Sequence, residues 1–515
     1  MLRDDRHTSA TTSPGYTPPM LALLALLGTT ALEPHAESPR RERPNVVILL
    51  ADDLGRHEIS LNGGPVPTPN IDRVGREGAN CTAGTVVSPI CAPSRAGLLT
   101  GRYPQRFGFE YINHERYAKS RFEHFAAHFF AADDQWQLAP YAPAPPNVPE
   151  QGLPESERTL ADALRAAGYA TEMVGKWHLG SAPGKRPLER GFDHHYGFYG
   201  AFSLYAPEDD PTILSSHHSY FADKHEWETA RSGTSAIVRD GQPIDEPGFL
   251  TQRIAEEAVA SIRAHAREPF FLYVPFSAPH TPFQAPRSYT DGITSAKDDN
   301  QRVYRGMIAA LDDAVGQILD SLDEQGLTDD TLVFFLSDNG GALYTNAADN
   351  SPLRGGKFSN LEGGVGVPYL VRFPGRVAPG ASCADPVSAL DVFPTALAAA
   401  GQPLPGDRPY DGVNILPYLR GESPAPHQRL YWRTGTHAAL RSGDWKLIVD
   451  RDTGWRGLYD LAADPTEQQN LAARDPQRVQ ELEGQLADWE TELIPPAWPN
   501  VMEYHWPGGE MVFPL

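Results

Sequence analysis

Four largely apolar runs recur along the chain, and each is followed by polar residues. They are Asn45–Ala51, Tyr169–Val174, Pro269–Phe276 and Thr331–Leu336. Short apolar runs of this kind are typical of parallel strands that are buried on both faces. The runs therefore predict an α/β fold, built on a doubly wound, mostly parallel sheet sandwiched by helices.

Helical periodicity fills the intervals between these runs. Phe249–Ala266 carries apolar residues at helical spacing, and residues 303–322 form a longer apolar face. Thr159–Gly168 predicts a shorter helix that is capped by threonine and ended by glycine, and Ala389–Gly401 predicts another.

The pattern changes after about residue 421. Short, turn-separated stretches between residues 430 and 459 predict an antiparallel sheet, and Asp475 and Pro476 begin a predicted helix. We therefore expect three parts: a leader and linker (1–43), a main α/β domain (44–421) and a smaller C-terminal antiparallel-sheet-plus-helix subdomain (422–515).

Two long segments, residues 110–149 and 201–248, show no clear period and are rich in His and Pro. Long irregular loops in compact proteins are usually functional or disordered. We expect the first to be a substrate-shaping insertion and the second a variable region. A glycine-rich segment from Arg354 onward contains Lys357, a candidate contact for an anion.

The apolar run Met20–Leu32 has the length of a signal-peptide core and is too short to span a bilayer. Its flank is atypical, because Arg3 and Arg6 are offset by Asp4 and Asp5, and no clear cleavage site follows. We expect export to the periplasm or the exterior, with no membrane span in the mature chain. The alternative is a disordered leader on a cytoplasmic protein.

The net charge of the chain limits which kinds of molecule it is expected to bind. The chain has 66 acidic and 44 basic residues, which gives a formal net charge of −22. Without a basic excess, binding to nucleic acid or to an anionic membrane is not expected. An anionic substrate would need a local basic pocket inside this acidic shell.

The three cysteines, Cys81, Cys91 and Cys383, lack the spacing of a zinc site. If Cys91 is the reactive one, the other two can pair or stay free, and the sequence leaves both open. Three cysteines in 515 residues exclude disulfides as the main source of stability.

Polar side chains follow all four predicted strands. Because the carboxyl ends of parallel strands meet at one edge of an open sheet, we expect these side chains to share a site. Taken singly, an Asp pair or Asp-Asn-Gly-Gly is equally typical of a turn or cap, but together their oxygens suit Ca²⁺ or Mg²⁺. The residues are Asp52, Asp53, Lys176, His178, His280, Asp338 and Asn339.

Lys176 and His178 are two residues apart, so an extended backbone would place both on one side. Residues 88–101, SPICAPSRAGLLTG, predict a helix that begins at Cys91. A helix N-terminus lowers the pKa of a thiol and favours an anion, which Arg95, one turn further on, would also grip. The alternative is a buried structural cysteine.

The Cys-x-Pro-Ser-Arg and Leu-Thr-Gly-Arg motifs around Cys91 closely resemble the signature of the formylglycine-dependent (type I) sulfatases of the alkaline-phosphatase-like superfamily. Further motifs occur in the family order over most of residues 45–460. They are ADD, TPNID, CAPSR, LTGR, GKWHLG, PH, SDNGG and RGGK.

This resemblance implies that a formylglycine-generating maturation enzyme oxidises Cys91 to an aldehyde, whose hydrate attacks a sulfate ester. The expected substrate is a sulfated carbohydrate. The resemblance also implies one divalent cation, usually Ca²⁺, that touches the modified Cys91. Its other ligands would be Asp52, Asp53, Asp338 and Asn339.

The remaining site residues receive roles from the same resemblance. Arg95 and Lys176 match groups that hold the hydrate. Lys357 and His280 match contacts to the sulfate and the leaving oxygen, and His178 matches the base that regenerates the aldehyde.

The chain departs from the family pattern at two places near the expected site. Arg56-His57-Glu58 stands where many relatives have Gly-Tyr-Gly or similar, and Gly366 stands where many have Arg. These departures put substrate preference in doubt more than the chemistry. Two alternatives remain open: a phosphomonoester or phosphonate-ester hydrolase on the same fold, and a non-catalytic carbohydrate-binding relative.

Overall fold

The computed structural model describes residues 43–113, 120–125, 136–140, 150–207, 209–216, 231–505 and 512–514. The predicted leader, including the apolar run Met20–Leu32, lies outside the described residues except for Arg43. Much of the predicted insertion at 110–149, and part of the variable region at 201–248, also lie outside them.

The centre of the fold is a mixed, mostly parallel sheet. Asn45–Ala51 lies in the middle and pairs in parallel with Phe270–Pro275 on one side and with Thr331–Ser337 on the other. Within the described residues the sheet has ten strands. In spatial order they are Ala381–Cys383, Ala79–Cys81, Tyr369–Arg372, Thr331–Ser337, Asn45–Ala51, Phe270–Pro275, Ala170–Lys176, His194–Phe198, Val238–Arg239 and Gln242–Pro243.

All four predicted strands are therefore confirmed, with ends shifted by at most two residues. Their register explains how the site is assembled. Ala51 is paired with Ser337, so Asp52 and Asp338 leave the sheet side by side. The backbone N–H of Asp338 donates to the carbonyl of Ala51 (3.1 Å), and that of Asp52 donates to Ala278 on the other neighbour (3.1 Å).

Successive side chains of a strand point to opposite faces of a sheet, and the two cores follow this rule. Val46, Ile48 and Leu50 belong to one buried cluster, whereas Val47 and Leu49 belong to the other. Helices cover both faces, as predicted for a doubly wound fold. Among the described residues, the α-helices include Pro69–Arg76, Cys91–Thr100, Leu160–Ala166, Leu250–Ala264, Arg287–Thr290, Asp299–Glu324, Glu362–Val365, Val392–Ala399, Leu416–Leu419 and Pro476–Glu490.

The C-terminal part forms the predicted antiparallel sheet. The strands are Arg429–Thr434, His437–Ser442, Trp445–Asp450 and Arg456–Asp460. The helix Pro476–Glu490 packs on it, and the Asp475 side chain caps that helix by accepting from the N–H of Arg478 (2.9 Å). The fold class is thus confirmed, while the domain boundary at residue 421 stays a prediction.

Smaller sheets complete the described structure. Met502–His505 pairs with Trp136–Leu138 and with Val512–Pro514, so the end of the chain returns to the main body. Two-stranded sheets join Phe283–Pro286 to Ile213–Ser216 and Val387–Ser388 to Gly84–Thr85.

Cys81 and Cys383 form a disulfide between two neighbouring strands at the edge of the large sheet. This settles the pairing that the sequence left open. Cys91 keeps a free, buried thiol. Among the described residues, no helix is both long and apolar enough to cross a membrane.

Candidate active site

All ten candidate residues are buried at one edge of the large sheet, and their exposed fractions do not exceed 8 %. Contacts join nine of them into one cluster, and His178 lies near enough to be influenced by its charges. The ten are Asp52, Asp53, Cys91, Arg95, Lys176, His178, His280, Asp338, Asn339 and Lys357.

Arg95 organises one half of the cluster. Its Nε donates to Asp338 Oδ2 (2.8 Å), its Nη1 donates to the carbonyl of Lys176 (2.9 Å), and its Nη2 lies 3.4 Å from Asp52 Oδ2. Lys176 Nζ donates to the same Asp52 oxygen (2.5 Å). Arg95 therefore fixes the carboxylates that follow two strands, and its contact with an anion of the substrate stays a prediction.

Asp53 organises the other half. Lys357 Nζ lies 2.9 and 3.0 Å from its two carboxylate oxygens, and the Asn339 amide donates to its Oδ1 (2.7 Å). His280 Nε2 is 3.7 Å from its Oδ2. Asp53 has a left-handed backbone (φ 63°), a conformation uncommon outside glycine that often marks functional sites.

Cys91 begins the helix Cys91–Thr100, which ends at Gly101 in a left-handed cap, as the sequence predicted. The expectation of a lowered thiol pKa was wrong. Burial raises the pKa of Cys91 to about 12 and outweighs the opposing effect of Lys176 and Lys357. The unmodified thiol is thus protonated and is a poor nucleophile.

Burial also lowers the pKa of His178 and of His280 well below the usual value, so both are neutral. The Nδ1 of His280 lies 2.6 Å from the carbonyl of Thr281, which places a proton on Nδ1 and leaves Nε2 as an acceptor. The extended-backbone argument for His178 was wrong, because this residue is left-handed (φ 60°). Its two ring nitrogens have no hydrogen-bond partner among the described residues.

The donor set fits a hard divalent cation. Single ligand atoms of Asp52, Asp53, Cys91 and His280 lie within 4.8 Å of one another. Asp52 Oδ1 and Asn339 Oδ1 are buried and lack a hydrogen-bond partner in the described part of the chain. Buried oxygens of this kind are costly unless a ligand completes them, and oxygen is the donor that Ca²⁺ prefers.

Asp338 contributes differently from the expectation of a simple ligand. Its Oδ2 is engaged by Arg95, and its Oδ1 accepts from the N–H of Asp53 (3.2 Å). Burial, followed by repulsion from Asp52, raises the pKa of Asp338. A cation at this place would relieve both effects, which agrees with the donor set above.

Comparisons with known proteins agree with this geometry. The family model described as Sulfatase matches residues 44–402, and that described as N-sulphoglucosamine sulphohydrolase, C-terminal, matches residues 357–492. The chain belongs to the sulfatase family. N-acetylgalactosamine-6-sulfatase of Mus musculus is 33 % identical over 441 residues, which cover 83 % of this chain and 74 % of the relative.

Two further relatives support the assignment. Steryl-sulfatase of Mus musculus is 31 % identical over 86 % of this chain and 76 % of its own. The solved structure of Ps i-CgsB with k-i-k-neocarrahexaose is 29 % identical, with a TM-score of 0.74 over 89 % of this chain and 95 % of that chain. This sulfatase is therefore an enzyme that hydrolyses sulfate esters.

The two departures from the family pattern meet in the structure of this sulfatase. Arg56 Nη2 donates to the carbonyl of Gly84 (3.0 Å) and lies 3.4 Å from Glu362 Oε2. A Cβ atom on Gly366 would lie 2.2 Å from that same Nη2. Gly366 thus leaves the space that Arg56 fills, so the two departures are one coupled change.

Glu58, the other residue of that departure, is also turned inward. Its carboxylate accepts from the N–H groups of Gly55 (2.8 Å) and Asp349 (3.1 Å) and from the hydroxyl of Tyr304. It therefore holds together the loops that follow two of the strands of the sulfatase sheet. This contact is structural.

Sequence reasoning missed two tyrosines. The single O–H of Tyr205 is shared between two carbonyl acceptors, those of His280 (2.9 Å) and Ser277, and this contact holds the His280 loop. Tyr344 stacks beside Lys357, on the ring of Phe358. Both come from segments without periodicity, where the sequence carries no pattern that would have found them.

Proposed function

We propose that this sulfatase removes sulfate from a sulfated carbohydrate, with Cys91 oxidised to formylglycine and Ca²⁺ bound at Asp52, Asp53, Asp338 and Asn339. The observation that carries the proposal is the position of Cys91. Its sulfur lies within 4.8 Å of a carboxylate oxygen of Asp52 and of Asp53, in a buried cluster.

The hydrated aldehyde would supply a hydroxyl nucleophile for sulfur, and the cation would polarise the sulfate oxygens. Side chains of the protein would orient the hydrated aldehyde and the sulfate. Arg95 and Lys176 are fixed by Asp52 and Asp338, and they flank the start of the Cys91 helix as a rigid positive frame. Preorganised charges of this kind stabilise a transition state at little reorganisation cost.

Lys357 and His280 have different roles toward the sulfate ester. Despite its burial, Asp53 holds the pKa of Lys357 well above its usual value, so Lys357 is charged and donates to sulfate oxygens. His280 is neutral and presents Nε2 as an acceptor. His178, also neutral and without a hydrogen-bond partner among the described residues, is suited to accept a proton when the aldehyde is regenerated.

The carbohydrate part of the proposal is supported by two relatives. One is named N-acetylgalactosamine-6-sulfatase, and the other was solved with k-i-k-neocarrahexaose bound. The balance of charge in the cluster is compatible with an anionic substrate. Three carboxylates face three cationic side chains, so a bound divalent cation would leave a net positive site.

The test is expression with and without a formylglycine-generating enzyme, followed by peptide mass analysis across Cys91. We expect an aldehyde at Cys91 and turnover of an aryl sulfate and of members of a panel of sulfated oligosaccharides. Cys91→Ala should fold normally and lose turnover of both. An unmodified thiol together with measurable sulfatase activity would contradict the role of Cys91, and faster turnover of an aryl phosphate would favour the phosphatase alternative.

We further propose that the enzyme is exported. The disulfide between Cys81 and Cys383 supports this, because disulfides persist mainly in oxidising compartments. Fractionation of expressing cells, with thiol alkylation under denaturing conditions without a reductant, checks it. Enzyme found only in the cytoplasm, with both cysteines alkylated, would contradict export.

A further inference from the structure

His280 lies on a turn that follows the strand Phe270–Pro275, so contacts beyond the sheet help to fix its place. The N–H of His280 donates to the carbonyl of Ser277 (2.9 Å), which closes the turn. Within the turn, the carbonyl of Ala278 accepts from the N–H of Asp52 (3.1 Å). The turn is thus joined to the candidate active site through its main chain as well as through the His280 ring.

Tyr205 contacts both ends of this turn. Its single O–H is shared between the carbonyl of Ser277 and that of His280, which lies 2.9 Å away. Tyr205 is completely buried, and burial raises its pKa well above the usual value, so the hydroxyl stays protonated and donates. The His280 ring is bonded to the carbonyl of Thr281 (2.6 Å), so it follows the main chain that Tyr205 holds.

Tyr205 is itself fixed through its main chain and its ring. Its N–H donates to Oε1 of Gln284 (2.8 Å), a completely buried residue that follows the turn by four positions. Its carbonyl accepts from the N–H of Leu250 (2.6 Å), where the helix Leu250–Ala264 begins. Its ring stacks on Phe249, with centroids 6.1 Å apart. The hydroxyl is therefore presented to the turn from a defined position.

Arg231 connects the two ends of the variable region 201–248 around Tyr205. Its Nε donates to the carbonyl of Leu204 (3.0 Å), and its Nη2 donates to that of Tyr205 (2.7 Å). At the other end of the region, the carbonyl of Gly248 accepts from Nη2 (2.9 Å) and that of Glu246 from Nη1. A guanidinium fork with several fixed acceptors holds them in one arrangement. Arg231 thus stabilises the main chain from which the Tyr205 side chain extends.

We propose that Tyr205 is a positioning residue for His280, and that Arg231 holds Tyr205 in the place from which it acts. This rests on the role proposed above for His280 toward the sulfate ester. The guanidinium fixes the Tyr205 main chain, the Tyr205 hydroxyl fixes the turn, and the turn carries the His280 ring. Neither residue would touch the substrate. Because small misplacements of a reacting group slow a reaction strongly, this part of the variable region would influence the rate from a distance.

The test compares mature wild type with Tyr205→Phe, which keeps the buried ring and removes only the hydroxyl. We expect kcat for an aryl sulfate to fall about 10- to 100-fold, as is usual when a group that orients a reacting side chain is lost. KM and the affinity for Ca²⁺ should stay within about threefold, because the charged cluster keeps its own contacts. Circular dichroism and urea unfolding check the fold.

The decisive measurement is the same substitution in a His280→Ala background. Once His280 is gone, Tyr205 has no ring to orient, so Tyr205→Phe should change kcat by less than about twofold there. An aryl sulfate is the substrate because its good leaving group keeps the rate of His280→Ala measurable. A merely structural role of Tyr205 would give the same loss of kcat in both backgrounds.

Arg231→Met tests the second part of the proposal. It should lower kcat by about 3- to 10-fold, and this loss should also disappear in the His280→Ala background. Arg287→Ala is the matched control, because Arg287 donates to another carbonyl of the variable region, that of Pro211 (3.3 Å), but is exposed. Its kcat should equal that of wild type.

A kcat of Tyr205→Phe equal to that of wild type would overturn the proposal, and so would equal losses in the two backgrounds. Lost Ca²⁺ affinity in Tyr205→Phe would overturn it too, since it would indicate general damage to the site. A His280→Ala enzyme as active as wild type would overturn it by removing the role of His280. Failure of wild type to turn over any sulfate ester would instead overturn the proposed function, and that outcome is read from wild type alone.

Discussion

Two clusters of buried charges occur in this fold, and their roles differ. One forms the candidate active site, and the other links segments of the fold. The site cluster contains Asp52, Asp53, Asp338, Arg95, Lys176 and Lys357. The brace cluster contains Arg56, Glu362, Lys446 and Glu467. In both, acidic and basic groups are equal in number, and every member is almost completely buried except Arg56, which is 10 % exposed at its side chain.

Each carboxylate oxygen of the brace cluster lies within 3.4 Å of a cationic or N–H group of the same cluster, although Arg56 Nε and Glu467 Oε1 make no hydrogen bond among the described residues. Lys446 Nζ lies 2.9 Å from both Glu362 and Glu467, Arg56 lies 3.4 Å from Glu362, and Glu467 accepts from the N–H of Glu362 (2.6 Å). It links the loop after Asp53, the glycine-rich loop that carries Lys357, and the C-terminal sheet. Its acidic and basic groups are equal in number, so we interpret the brace cluster as a structural link between these three segments.

The site cluster is not closed. Asp52 Oδ1 and Asn339 Oδ1 lack hydrogen-bond partners among the described residues, and so do both ring nitrogens of His178. Burying such atoms costs free energy that only a ligand recovers. Burial and charge balance therefore do not mark a functional site by themselves. The site cluster differs because Asp52 Oδ1 has neither a hydrogen bond nor an ion pair among the described residues, whereas every carboxylate oxygen of the brace cluster has a partner.

The largest effect is expected where the site cluster loses a proposed calcium ligand. Asp338→Ala should abolish Ca²⁺ binding and lower turnover at least about a thousandfold, because it removes a carboxylate and leaves Arg95 without its main partner. Calcium titration and aryl sulfate kinetics measure both, with circular dichroism as the control for folding. Retained Ca²⁺ affinity would contradict the ligand assignment.

A smaller effect, on stability instead of chemistry, is expected in the brace cluster. Lys446→Met leaves two buried carboxylates with only Arg56 beside them, so the free energy of unfolding should fall by about 3–5 kcal/mol. Urea unfolding measures this.

Turnover per folded molecule of Lys446→Met should stay within a few-fold of wild type. Arg451→Ala is the matched control, because its partner Glu490 lies in an exposed pair (2.7 Å), and it should cost under about 1 kcal/mol. If Lys446→Met were as stable as wild type but had lost turnover, the brace cluster would have a catalytic role. The proposed difference between the two clusters would then be wrong.

The smallest effect concerns pH. Burial raises the pKa of Glu467 to about 7, the nearby Glu362 adds to the rise, and Lys446 opposes it. A raised carboxyl pKa stabilises the fold fully below the unfolded value of 4.5, and that contribution is lost as pH rises through 7.

Between pH 5 and 7, wild type should therefore lose about 1 kcal/mol of unfolding free energy per pH unit relative to Glu467→Gln. Urea unfolding of both proteins across this range checks the slope. Parallel curves would show that Glu467 does not titrate there.

Much of the site was predictable because its residues follow strands that local pattern alone defines. Asn45–Ala51 and Thr331–Ser337 are buried on both faces, so their apolar runs are unbroken and their ends stand out. Parallel pairing then brings Asp52 and Asp338 together, whatever lies between them in sequence. The end of the helix Cys91–Thr100 at Gly101 was predictable for the same reason, because a glycine next to the helix determines it.

The features of the site that the sequence did not predict depend on packing between segments that are distant in sequence. The thiol pKa of Cys91 is set by how much protein surrounds it, and a helix N-terminus gives no information on that. The pairing of Arg56 with the space at Gly366 joins residues more than three hundred positions apart. Tyr504, in the strand Met502–His505, packs against Phe358 beside Lys357 only because this C-terminal strand returns to the main body.

The parallel pairing at the centre of the sheet also has a consequence for synthesis. Asp53 and Asn339 are 286 residues apart, so a ribosome adding about 5–20 residues per second needs roughly 15 to 60 s between them. Until then the strand beside Asn45–Ala51 is missing, and Cys91 is not yet sealed at 2 % exposure. The proposed oxidation of Cys91 would therefore have this interval in which to take place, and the speed of translation would set how long the interval lasts.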